Sequence, residues 1–173
     1  MNKWLLLFLI SCSACRQYND RSSPDEVQTQ LIDKLTDVNI QFVKDETRQI
    51  DEFISRHNFL TKMTGTGLRY QIYKKASKQY SPVIHDHIRI DYRLFLLDGT
   101  LCYATDSIHH LELRLGEGTE TRGLEEGLML MKEGDRARLI VPAHLAFGLT
   151  GDGNKVPPAS ALYYDVTLLS VKK

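Results

Sequence analysis

The residues of this chain best equipped for chemistry are His85, His87, His109, His110, Cys102 and the glycine-rich segment Gly148 to Gly153. His85-Asp86-His87 sets two imidazoles on one side of a strand start, a spacing that could hold a divalent metal. No third ligand follows in a defined pattern, and His109-His110 falls in a loop. All four therefore read as solvated loop histidines, and no metal is expected. Cys102 occupies a strand position beside aliphatic residues, where a thiol is a small buried hydrophobe rather than a nucleophile. Gly148 to Gly153 is followed by neither a lysine-serine pair nor a helix, which removes phosphate cradling. Lysine plus arginine and aspartate plus glutamate number 22 each. No net charge draws the chain toward nucleic acid, so a nucleic-acid partner is not expected.

The other two cysteines, Cys12 and Cys15, lie in the first fifteen residues, which makes neither a disulfide framework nor a zinc site. Asn2-Lys3 precede the apolar run Trp4 to Ile10, too short to span a bilayer. With small residues closing it, the segment has the form of a secretory signal. Leu9-Ile10-Ser11-Cys12 resembles the lipobox of bacterial lipoproteins. That resemblance implies a signal peptide over residues 1–11, acylation of Cys12 and a membrane anchor of several acyl chains. Cys15 fits less well, since Cys12 rather than an aliphatic residue stands three positions before it. Ser13 after the anchor, in place of aspartate, implies an envelope lipoprotein of the outer membrane, facing the periplasm, rather than of the inner one.

The elements that must position any site begin after a polar tether over residues 12–22. Ser23-Pro24-Asp25-Glu26 combines an N-cap serine, proline at the first helical position and a capping-box glutamate. Val27, Leu31, Leu35 and Val38 follow at helical spacing. Asp45 to His57 then places Ile50, Phe53 and Ile54 on one side, with Asn58 as a C-terminal stop. Residues 23–62 thus read as a helical extension, either two helices or one. Its apolar stripe must pack on the following domain or on another copy of the chain. From Leu68 the period changes to two, and strands are predicted at Leu68 to Tyr73, Ile88 to Phe95, Thr100 to Thr105, Leu111 to Leu115, Arg136 to Val141 and Ala161 to Val171. Asp98-Gly99 marks a hairpin. Only Arg122 to Lys132 reads as a helix, with Leu124, Leu128 and Met131 on one face. Many strands and one helix make residues 63–173 an α+β domain, an antiparallel sheet wrapped on one short helix.

Four separated motifs in this domain carry a family resemblance. Ala137 to Gly148 resembles the segment of FKBP-type peptidyl-prolyl cis/trans isomerases in which a strand leads into a turn ending in an aromatic residue and glycine. Val156-Pro157-Pro158 and the strand through Tyr164-Asp165-Val166 are similar to that family's apolar-Pro-Pro turn and final strand. Gly123-Leu124-Glu125-Glu126-Gly127 resembles its helix start, and Tyr92 with Asp98-Gly99 its preceding strand and hairpin. With a lipobox and a helical leader as well, the chain resembles the FKBP-type lipoproteins associated with gliding motility in some bacteria.

The resemblance implies isomerisation of X-Pro bonds in exported polypeptides. Amide resonance sets a barrier of roughly 18–20 kcal/mol to this rotation. A catalyst needs no covalent step and no cofactor. It holds the proline ring in a dry aromatic pocket that favours the twisted amide, and each ~1.36 kcal/mol of differential stabilisation is tenfold in rate. Carried over by motif, the substrate-binding residues are Tyr92, Cys102, Tyr103, Leu111, Thr121, Leu124, Phe147, Val156 and Tyr164. Several depart from the family. Cys102-Tyr103 replaces a Phe-Asp pair, Leu111 a phenylalanine, Glu120-Thr121 two aliphatic residues, Leu124 the usual tryptophan, and Phe147 lacks a phenol hydroxyl. The Thr121 N–H, which the family directs at a substrate carbonyl, does not depend on the side chain. Two functions stay open. One is an isomerase whose activity these departures would lower. The other is a non-catalytic chaperone or motility-machinery subunit, in which Tyr92, Leu124 and Tyr164 merely pack.

Overall fold

The structure is a computed structural model and describes residues 24–78, 80–106 and 108–173. The predicted signal peptide, the tether, the lipidation residue Cys12 and the N-cap Ser23 lie outside the described residues. So do the side chains of Pro24, Glu26 and Val27. The chain divides into two compact units, one ending at Asn39 and one of Ile40–Lys173. Among the described helices none is long and apolar enough to cross a membrane.

One continuous helix, α1 (Pro24–Arg56), answers the question of one helix or two. In the first unit Leu31, Leu35 and Val38 are exposed among the described residues. In the second unit the stripe runs on through Phe42, Glu46, Ile50 and Phe53, of which Glu46, Ile50 and Phe53 are buried. Asn58 does end the helix. It adopts a positive φ of 53°, its N–H donates to the Ser55 carbonyl, and the Phe59 N–H reaches back to Ile54. This is a Schellman closure, which asparagine tolerates better than most non-glycine residues.

The remaining elements are β1 (Lys62–Met63), β2 (Arg69–Lys74), β3 (His87–Leu96), β4 (Leu101–Ala104), β5 (Leu111–Arg114), α2 (Arg122–Met129), β6 (Arg136–Val141), a 3-10 turn (Ala143–Leu145) and β7 (Leu162–Lys172). All strand pairs are antiparallel, in the order β1-β2-β6-β7-β3-β4. β4 and β5 both pair with β3, β4 along Arg93 to Phe95 and β5 along His87 to Ile90. The α+β architecture is therefore as the periodicity predicts. The two-residue β1 and the 3-10 turn are too short to show a period, and sequence patterning missed both.

Strict alternation sends neighbours in sequence to opposite faces of the sheet. Leu139, Val141, Tyr164 and Val166 join Leu124, Leu128 and Met131 in the main core under α2. On the other face Ile140 and Ala161 pack with Ile50 and Phe53 of α1, flanked by Tyr163 and Phe59. The sheet is thus covered on both sides. Two glycines of the motif Gly123 to Gly127 explain how α2 lies so close. A Cβ at Gly123 would fall 2.3 Å from a Val141 methyl, and one at Gly127 2.3 Å from a Leu139 methyl.

Candidate active site

The nine residues singled out from sequence converge on one apolar cluster. Leu124, Cys102, Val156 and Tyr164 are buried in it, and Tyr92, Tyr103, Leu111 and Phe147 pack against it while partly exposed. Thr121 is buried at its edge. They come from six places. β3 supplies Tyr92, β4 Cys102 and Tyr103, β5 Leu111, the start of α2 Thr121 and Leu124, and the segment between β6 and β7 both Phe147 and Val156; β7 itself adds Tyr164.

Tyr92 and Tyr164 form the aromatic wall, with ring centroids 5.9 Å apart at 46°. Strand pairing alone sets Tyr92 opposite Val166 and Leu94 opposite Tyr164. The two tyrosines therefore meet diagonally on the core face. The Tyr164 hydroxyl shares a 3.3 Å hydrogen bond with Thr121 Oγ1. Burial pushes that phenol well above its usual range, so it remains a neutral O–H. Thr121 also caps α2, its Oγ1 accepting from the Leu124 N–H at 3.4 Å. Among the described residues, no hydrogen bond from the Thr121 backbone N–H is formed. It remains available as a donor at the edge of the aromatic wall.

The departures at the lip have definite structural consequences. Tyr103 does not fill the cluster: its hydroxyl donates to Asp152 Oδ2 at 2.5 Å, and Lys155 Nζ lies 5.0 Å from its ring centroid. Asp152 in turn accepts the N–H groups of Asn154 and Val156 through Oδ1; the Tyr103 hydroxyl first, and then these two N–H groups, hold its carboxyl below the usual range. Asp152 thus links β4 to the loop that presents Val156. Sequence reasoning missed this residue, although Gly151-Asp152-Gly153 is a readable Asx-turn signal. Gly151 is required there. Its φ is +69°, and a Cβ would fall 2.3 Å from the Val156 carbonyl oxygen. Cys102 is 2% exposed, and burial pushes its thiol up, in keeping with the buried-hydrophobe reading.

Glu120 is a second residue of the site beyond the nine singled out from sequence. It is partly buried, and its charge reaches both Tyr92 and Tyr164, adding to the effect of burial in raising their hydroxyls. Burial, then the neighbouring Glu125 carboxylate, holds the Glu120 carboxyl above its usual range. Glu125 accepts the Gly116 N–H through Oε2, and its Oε1 is buried with no hydrogen-bond partner among the described residues. A surface cavity of about 520 Å³ opens beside Glu120 and Leu111.

The histidines do not assemble into a site. His109 hydrogen-bonds Asp106 and His110 hydrogen-bonds Asp91. Asp86, between His85 and His87, is buried and takes the Tyr80 hydroxyl and the Val83 N–H. Among the described residues no group of three metal-ligating side chains exists.

An antiparallel sheet wrapped on a short helix, with an aromatic-walled apolar cluster at the helix N-terminus, defines an FKBP-type domain. The model of the FKBP-type peptidyl-prolyl cis-trans isomerase family matches residues 78–169, more than half of the chain, and the chain belongs to that family. Among curated relatives, the macrophage infectivity potentiator of Trypanosoma cruzi is 36% identical over 107 residues, covering 62% of this chain and 54% of that protein. The probable FKBP-type peptidyl-prolyl cis-trans isomerase FkpA of Neisseria meningitidis is 30% identical over 110 residues, covering 64% and 40% respectively. The crystal structure of FkpA from Escherichia coli aligns with a TM-score of 0.62 at 28% identity, covering 88% of this chain and 74% of that one. The chain spans about half the length of the T. cruzi relative and two-fifths of the Neisseria one.

Proposed function

We propose that this protein is a membrane-tethered prolyl isomerase that assists the folding of exported polypeptides. The observation that carries the reading is the convergence of residues from six segments on one apolar cluster whose aromatic members Tyr92 and Phe147 are partly exposed. A proline ring would enter between Tyr92, Phe147, Val156 and Tyr164, over Leu124, with Leu111, Cys102 and Tyr103 at the margin. The Thr121 N–H would take the carbonyl preceding the proline. No group need gain or lose a proton. Desolvation of the amide and a wall shaped for the twisted geometry supply the differential binding. The extension over residues 23–62 would hold the domain of 63–173 away from a lipid anchor at Cys12, on the periplasmic side of the outer membrane.

A peptide-isomerisation assay on chain beginning at Ser13 tests this. The expected result is a rate above the uncatalysed one, lost in a Tyr92→Ala variant that remains folded. A folded protein that leaves the uncatalysed rate unchanged sinks the enzymatic reading.

The second reading is a non-catalytic client- or machinery-binding module, including a subunit of a gliding apparatus. It is favoured by one observation, the engagement of Tyr103 with Asp152 where the family carries a pocket carboxylate. Binding of proline-containing peptides without rate acceleration supports it. A folded domain that binds none counts against both.

A further inference from the structure

α1 reaches the opposite face of the sheet from the aromatic cluster, yet one of its side chains is wired to the segment that carries Phe147. Glu46 lies on the buried stripe of α1 and is 6% exposed. Its Oε1 accepts the Ala143 backbone N–H at 2.6 Å. Ala143 is itself 1% exposed and opens the 3-10 turn, whose N-cap is Pro142. That proline makes no side-chain capping bond. A buried N–H at a helical N-terminus must be paired or it costs the full desolvation of the group. Glu46 supplies the missing cap from 97 residues away.

The Ala143 peptide is also the hub of the turn. Its carbonyl accepts the N–H of Ala146 at 3.0 Å and of Gly148 at 2.9 Å, the two residues that flank Phe147. The Gly148 carbonyl then accepts the Ala159 N–H at 2.9 Å, just beyond Val156-Pro157-Pro158. Fixing Ala143 therefore fixes the backbone on both sides of one wall aromatic and the far end of the loop carrying Val156.

We propose that Glu46 is a positioning residue of the proline site, holding the Phe147 turn in register through the Ala143 N–H, so that the second half of α1 is a working part of the site. The proposal rests on the reading of that site as a proline pocket. Nothing in the spacing of Glu46 announces such a role, because a helical glutamate on an apolar stripe acquires its partner only through the tertiary fold.

The test compares the full chain, purified in detergent, with E46M, which keeps the side-chain volume without an acceptor, and with E46Q, which restores the acceptor without the charge. Amide hydrogen exchange at Ala143, Ala146 and Gly148 is read against Tyr164 and Val166 of β7, and kcat and KM are measured on a proline peptide. E46M is expected to lose roughly tenfold or more protection at the three turn amides beyond any loss in β7, and about tenfold in kcat/KM, with E46Q returning to within about threefold of the native chain. Should E46M not fold, E46D, one methylene short, gives the graded case. A loss shared equally by the turn and β7, or none at all, overturns the proposal, because the role is then one of global stability only. If the native chain proves to have no isomerase activity, the enzymatic reading fails by itself, while the exchange comparison still decides whether Glu46 holds the turn.

Discussion

Glu120 brings a carboxylate to a lip that the family keeps aliphatic, and its effect on the molecule depends on pH. Burial and the Glu125 carboxylate hold its carboxyl above the usual range, so the folded state binds this proton more tightly than the unfolded chain does. A group whose folded value is raised contributes stability that is present below its unfolded value and is lost as pH rises through the folded one. Glu120→Gln removes that loss. The variant is expected to show a higher urea midpoint than the native protein near pH 7 and to converge with it near pH 4, around the ordinary glutamate value. An offset of the same size at both pH values would mean that Glu120 acts through packing rather than charge. Tyr103 is a departure of another kind. Its ring stays packed at the cluster margin while its hydroxyl binds Asp152, a brace between β4 and the Val156 loop where the family carries a carboxylate. The consequence is a rim in which β4 and the Val156 loop are tied to each other.

Between residue and molecule, the informative element is α1, whose two halves read alike in sequence and behave differently. Val27, Leu31, Leu35 and Val38 have the same helical spacing as Ile50, Phe53 and Ile54, yet Val38 is 68% exposed and Phe53 2%. Periodicity fixes that a face is apolar and not what covers it. The second half is held by aromatic packing, with Phe53 5.3 Å from the Tyr163 ring and 6.0 Å from Phe59. Phe53→Ala should therefore cost about 3–5 kcal/mol in urea unfolding, as for other large core truncations. A loss below about 1 kcal/mol would show that this half of the helix contributes little burial energy. The strands were legible for a related reason. Arg136 to Val141 opens with arginines alternating with apolar residues, closes on the apolar run Leu139-Ile140-Val141 and is bounded by Gly134-Asp135 and Pro142, and the structure keeps those limits unchanged. The helix at Arg122 was legible in its apolar face, though it ends at Met129 rather than Lys132. What sequence hid were partners set by the fold across long separations. Glu46 with Ala143 and Tyr103 with Asp152 have no local signature, and neither does the Arg138 guanidinium 4.4 Å from both the Phe59 and Tyr73 rings.

For the whole molecule, the question is which part of the chain the stable unit requires. The matched family segment begins at residue 78, whereas the compact unit begins at Ile40. The difference contains β1, β2 and the second half of α1. β2 pairs with β6 along Arg69 to Lys74, and α1 covers Ile140 on the outer face of the sheet. These segments bury core that the family match alone would leave open. The first unit, in contrast, carries Leu31, Ile32, Leu35 and Val38 exposed, and exposed apolar residues add nothing to the burial that stabilises a fold. Removing residues 1–39 is therefore expected to leave the thermal midpoint of the remaining chain within about 2 °C, while removing residues 1–58 strips Ile50 and Phe53 from the sheet and should lower it by about 10 °C or more, at roughly 2–8 °C per kcal/mol over the range of small domain sizes. Scanning calorimetry on the two truncations decides it. A large fall for the shorter deletion would mean that the leading half of the helix is buried by something the single chain does not contain. An unchanged midpoint for the longer one would detach α1 from the domain and take the proposed role of Glu46 with it.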